Sequence, residues 1–144
     1  MLQGSKGFTL AEALITLAVV SILLTIVTPR VNSTILERQR REALQTTTGL
    51  LESLPAVARA RQDRLEVRGV NTNAALEIRV YSTREEDYLP PPLRVRIPWH
   101  LNPQITNDPI ATVDSTGIVT RSHPIRIGTV TLHLSRWGRV TTTP

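Results

Sequence analysis

The sequence has no cysteine, which excludes disulfide staples and thiolate chemistry and leaves the redox compartment unmarked. Aromatic residues are scarce at 3 %, namely Phe8, Tyr81, Tyr88, Trp99 and Trp137, so any core must be mostly aliphatic. Lysine occurs once, as Lys6, against sixteen arginines, a bias that base composition alone can produce. There are seven glycines, and none forms a phosphate-cradling loop or a G-x-S-x-G nucleophile elbow. The three histidines, His100, His123 and His133, show neither i, i+4 nor H-E-x-x-H metal spacing. They are expected at the surface, with His133 on the polar side of a strand. Asp108 and Asp114 stand near turns, where aspartate caps backbone amides. The sequence thus presents no catalytic residues, no metal ligands and no cofactor site, and the chain is expected not to be an enzyme.

What is present begins with length and charge. The 144 residues carry a formal charge of +5, enough chain for one compact domain plus an accessory helix and a balance that favours anionic partners. Near the start stands KGFTLAEALITLAVVSILLTIVTPR, Lys6 to Arg30. Between Phe8 and Thr28 the only ionisable side chain is Glu12. A helix over this run would reach about 31 Å, close to the hydrocarbon thickness of a bilayer. The run is therefore expected to span a membrane, its Thr and Ser hydroxyls bonding back to the helix backbone. It ends in Thr28-Pro29-Arg30-Val31, without the small-residue cut site of a secretory signal. Lys6 before the span and Arg30, Arg38, Arg40 and Arg41 after it give opposed charge signals for orientation.

The pattern G-F-T-L-x-E followed by an apolar run resembles the type IV prepilin signature. That resemblance implies a leader, residues 1–7, removed between Gly7 and Phe8 by a prepilin peptidase, with N-methylation of the freed Phe8. It also implies that Glu12 and Pro29 belong to the assembly helix, residues 8–29, many family members having a proline at the latter place. The implied location is the bacterial inner membrane, single-pass, with lipid around the helix before assembly and the head on the periplasmic or outer side. The subunit then joins other pilin subunits in a pilus or pseudopilus. An unpaired carboxylate in a bilayer costs about 2.5–3.5 kcal/mol or more. Cleavage would create an ammonium on Phe8 that Glu12 of a neighbouring subunit could meet, so the two charges compensate only in the correctly registered filament.

Beyond Pro29 the apolar positions Leu36, Ala43, Leu44, Leu50, Leu51, Leu54, Val57 and Ala58 fall near helical spacing, predicting an amphipathic half over residues 30–62. Pro29 and Pro55, with the soft patch Thr46 to Gly49 between them, are expected to kink the helix or divide it in two, Ser53 capping the restart. From Leu65 the period becomes two. Strands are predicted at Leu76–Val80, Leu93–Ile97 and Val130–Leu134, with weaker ones at Ile110–Val113, Ile118–Arg121 and Val140–Thr142. Asp114 to Gly117 and Trp137-Gly138 read as turns, and Glu85 to Pro92 as an exposed loop stiffened by proline. The expected fold is α+β: a long N-terminal helix on an antiparallel sheet head, residues 63–144, with one wet face. Within the superfamily the layout is similar to the GspH/FimT type of minor pilin or pseudopilin. The carriers are the turn at Asp114, the strand Thr129 to Leu134, and Trp137-Gly138-Arg139-Val140. In some members a G-R-x-R motif there helps bind DNA; here Gly138-Arg139-Val140-Thr141 lacks the second arginine.

From Ile118 to Pro144 the sequence has Arg121, Arg126, Arg136 and Arg139 and no acid. These four are the candidate DNA contacts, with Trp137 either stacking on a base or filling the core. The plain alternatives are a solvated basic face or charges that meet acidic neighbours in a filament. Arg94 and Arg96 share one face of their strand. Three functional readings follow: a filament subunit, a DNA-binding minor pilin of a transformation pilus, and a single-pass anchor whose head recruits a partner.

Overall fold

The computed structural model describes residues 9–91 and 93–144, leaving aside the helix side chains of residues 24 and 26–32. The expected cleavage pair Gly7–Phe8 and the side chain of Pro29 lie outside the described residues. One helix, α1 (Leu10–Arg61), precedes ten strands: β1 (Leu65–Asn71), β2 (Ala75–Ser82), β3 (Asp87–Tyr88), β4 (Arg94–Pro98), β5 (Pro103–Ile105), β6 (Ala111–Val113), β7 (Val119–Ser122), β8 (Ile125–Ile127), β9 (Val130–Leu134) and β10 (Val140–Thr143). The chain divides into two compact units between Arg38 and Gln39.

In the first unit the helix exposes Leu10, Leu14, Ile15, Leu17, Ile22 and Leu23, positions that lie all round a 3.6-residue helix. Its hydroxyls are satisfied internally, as expected. Thr16 donates to the Glu12 carbonyl at 2.7 Å, Ser21 to Leu17 at 2.8 Å and Thr25 to Ser21 at 2.8 Å. Among the described residues no helix is long and apolar enough to cross a membrane. The run expected to do so includes Phe8 and the side chains of residues 24 and 26–28, which lie outside that description.

In the second unit α1 contributes Ala43, Thr47, Leu50, Leu51, Leu54 and Ala58, all buried and spaced to share one face. The expected division of the helix is corrected, because α1 runs unbroken through the threonine patch and Pro55. Thr46 and Thr47 donate to the Glu42 and Ala43 carbonyls, which ties the patch into the helix. Ser53 donates to the Leu50 carbonyl instead of capping a new start. Pro55 is enclosed by two turns. A Cβ at Gly117 would lie 2.6 Å from the Pro55 carbonyl oxygen, and one at Gly138 would lie 2.3 Å from Pro55 Cγ. Both glycines have φ of +81°, so backbone conformation and close approach both require glycine.

The strands form two antiparallel sheets. One has the order β3-β2-β1-β6-β7, with β4 sharing the far edge of β2 with β3; the other has the order β10-β9-β8-β5. All six predicted strands are present within a residue or two, and β1, β3, β5 and β8 are additional to them. Ile78, Val80, Val95, Ile97, Ile125, Ile127, Leu132 and Leu134 join the helix residues in one core. Two expectations are corrected here. The face of β2 opposite the core is not simply wet, since Glu77 is only 4 % exposed, covered by arginines from its own strand and from β4. The Glu85 to Pro92 loop is not exposed throughout either: β3 pairs Tyr88 with Tyr81, and Leu89 is buried with its amide donating to the Val80 carbonyl at 2.8 Å.

Candidate functional site

At the helix start, Thr9-Leu10-Ala11-Glu12 folds as a capping box. The Thr9 amide and hydroxyl each donate to Glu12 Oε2 at 2.9 Å, and the Glu12 amide donates back to Thr9 Oγ1 at 3.3 Å. The T-x-x-E spacing carries this signal in the sequence, and it gives Glu12 a role within its own helix beside the expected intersubunit one. The carboxylate divides its labour. Oε2 serves the helix, while among the described residues no hydrogen bond reaches Oε1.

At the other end of the chain, the four candidate arginines separate. Arg121 on β7 and Arg136 after β9 line one depression of about 520 Å³, together with Ser122 and Asp114. Strand edge and hairpin end meet there through the Val119 amide, which donates to the Arg136 carbonyl at 3.0 Å. Asp114 is committed to its turn: its carboxylate accepts from the Thr116 hydroxyl at 2.6 Å and from the Thr116 and Ile118 amides at 2.9 Å. These bonds, the Thr116 hydroxyl first, hold its pKa below the ordinary value. Arg126 lies on β8 and donates to the Gly128 carbonyl at 3.0 Å. Arg139 is exposed just past the Ser135–Gly138 turn. Trp137 does not fill the core, because it is 77 % exposed, with the Arg136 guanidinium carbon 5.9 Å from its ring. Depression, guanidinium groups and exposed indole make a surface able to hold anions and to stack on a flat apolar group.

The outward face of the first sheet holds a second arginine group. Arg68, Arg79 and Arg94 are direct cross-strand neighbours on β1, β2 and β4, an unfavourable row of like charges unless offset. Glu77 accepts from Arg79 and Arg94, both at 2.5 Å, and Glu66 accepts from Arg68 at 2.7 Å. The Arg79 bond and then the Arg94 contacts hold the Glu77 pKa below its ordinary value. Arg94 is thus tied into the sheet, while Arg96 is exposed. Arg68 stacks 4.1 Å above the Tyr81 ring, and Tyr81 meets Tyr88 edge-on at 5.5 Å. His100 and His133 are exposed and His123 half-buried; His100 hydrogen-bonds Gln39 and His123 hydrogen-bonds Asn107. Among the described residues no group of three or more such side chains is placed to hold a metal.

Residues 2–28 match the family model of the prokaryotic N-terminal methylation motif. No curated protein and no solved structure matches the chain. The matched segment is the one whose Thr9 and Glu12 form the capping box. Its match supports a type IV pilin-like protein, made as a precursor whose N-terminus is processed and methylated.

Proposed function

We propose that the chain is a minor pilin or pseudopilin, a structural subunit of a type IV pilus or a type II secretion pseudopilus, without catalysis of its own. The prepilin peptidase cuts between Gly7 and Phe8, Phe8 is methylated, and the subunit waits in the membrane with Phe8 to Thr28 among the lipid tails. The observation that carries this reading is the geometry of Glu12. Thr9 holds Oε2, and among the described residues no hydrogen bond reaches Oε1, which leaves that oxygen to receive a neighbour's ammonium. Internal bonding of Thr16, Ser21 and Thr25 supports residence in lipid, where an unmet hydroxyl is costly.

Two substitutions at one position test it. Glu12→Gln keeps the capping geometry, since glutamine serves in a capping box, but removes the charge; Glu12→Ala removes both. Both variants are expected to insert and to be cleaved to methyl-Phe8, as read by mass spectrometry, yet to be missing from purified filaments. Normal incorporation of Glu12→Gln would show that capping, not charge pairing, is the need.

A second reading, a DNA-binding subunit of a transformation pilus, is favoured by the exposure of Trp137 beside Arg136. Binding by the detergent-solubilised chain should then weaken with salt by about 0.9 log units per tenfold change for each phosphate contacted. Charge reversal at Arg136 and Arg139 should weaken it further. Binding that is insensitive to both removes this reading.

A further inference from the structure

The filament reading leaves one sequence feature unabsorbed, the run Glu85-Glu86-Asp87-Tyr88-Leu89-Pro90-Pro91. Leu89 anchors it in the core, while Glu86, Asp87, Pro90 and Pro91 face solvent. Glu85 is taken by Arg61, and Asp87 accepts from the Tyr88 amide. Among the described residues neither Glu86 nor Asp87 has an ion-pair partner, although Arg84 stands beside them in the sequence. The result is an acidic, proline-stiffened projection whose order is largely set before any contact, so little entropy is lost on docking.

This projection belongs to β3, at one end of the strand order β3-β2-β1-β6-β7. At the other end is β7, carrying Arg121, with Arg136 in the same depression and exposed Trp137 next to Arg136. One edge of the sheet is acidic and proline-rich, and the opposite edge is basic with an open indole. Guanidinium groups suit carboxylates, and an indole face suits proline rings. Two different patches that complement each other make a heterologous contact, in which each copy offers a different surface.

We propose that the Glu85–Pro91 projection of one copy docks on the Arg121–Arg136–Trp137 surface of a second copy, as a head-to-head contact in the assembled filament. This rests on the filament reading and names the partner of a surface which that reading leaves unassigned. Asp114, the acid that lines the depression among the described residues, has Oδ1 committed to its own turn, and the guanidinium groups of Arg121 and Arg136 line the same depression.

The absence of native cysteine makes the test clean. Full-length chains carrying Arg84→Cys are mixed in mild detergent with chains carrying Ser122→Cys, and a short bismaleimide is added. The expected product is a mixed dimer, absent when either partner is omitted. Arg121→Glu with Arg136→Glu in the Ser122→Cys chain should lower its yield at least tenfold. Glu86→Arg with Asp87→Arg in the Arg84→Cys chain should restore it. No mixed dimer, a yield indifferent to charge reversal, or failure of the reciprocal swap to restore it each overturns the contact. Reversal that abolishes DNA retention while leaving the cross-link intact overturns it too, and assigns the surface to nucleic acid. The filament reading is scored separately on the same chains: processed subunits that enter filaments without cross-linking refute the contact alone, whereas chains still beginning at Met1 in cells with active peptidase refute the filament reading.

Discussion

Replacing Gly117 by alanine tests whether the Asp114–Gly117 turn is pressed against α1. Two costs add. The φ of +81° is one that an L side chain resists by about 1–2 kcal/mol. The new Cβ would also lie 2.6 Å from the Pro55 carbonyl oxygen and 3.0 Å from Arg59 Cγ. The arginine can swing aside, but a helix carbonyl cannot move without its helix, and overpacking of this kind costs about 1–3 kcal/mol. The total, about 2–5 kcal/mol, is a large part of the roughly 5–15 kcal/mol that holds a domain folded. Two controls separate the terms. Gly128 has a φ of +62° and would meet only the Arg40 guanidinium, at 3.4 Å, so Gly128→Ala should bear the first cost alone. Gly49 lies within the helix with nothing inside 4 Å, and Gly49→Ala should stabilise by about 0.5–1 kcal/mol. Urea unfolding of the full chain in mild detergent, followed by tryptophan emission and helical circular dichroism, reads all three. If Gly117→Ala and Gly128→Ala agree within about 0.5 kcal/mol, the close approach at Pro55 is refuted.

Leu54 is fully buried at the centre of the core, so Leu54→Ala should cost about 2–5 kcal/mol in the same assay. Glu77 and Asp114 have folded pKa values below their ordinary 4.5 and 3.8; their contribution is whole above those values. As pH falls through them the unfolded chain takes up protons first, and the contribution is gone once pH passes below the folded values. Urea midpoints should therefore drop between neutral pH and about pH 3, and Glu77→Gln should flatten that drop; an unchanged slope removes Glu77 as a source. Trp99 donates its indole N–H to the Thr72 carbonyl at 2.8 Å, whereas Trp137 is open. In Trp99→Phe the remaining emission should be red-shifted and strongly quenched by iodide, and a blue-shifted, protected signal would place Trp137 indoors.

Period-two alternation revealed β2, β4 and β9 because each turns aliphatic residues to the core. It misses β3, β5 and β8, whose two or three residues are too few to show a period, and β1, where Gly69 interrupts it. The burial of Glu77 was not legible, because it is made by Arg94 from a strand seventeen positions away. An unbroken helix was hidden for a similar reason: local propensity at Thr46 to Gly49 and Pro55 argues for a break, and packing against distant turns overrides it. The capping box stood in plain sight as T-x-x-E. Of the basic end, the sequence carried the charge but not the grouping, since only the fold brings Arg121 and Arg136 to one depression and sends Arg126 elsewhere.

Pro55, seated between two glycine turns, works as a ruler on the helix. Each residue inserted or removed between Ala43 and Pro55 would rotate one end against the other by about 100°, swinging either the buried leucines or the proline off its seat. Gains or losses of single residues there should be fatal to the head. Related chains are expected to hold that interval fixed while substituting freely along its solvent side.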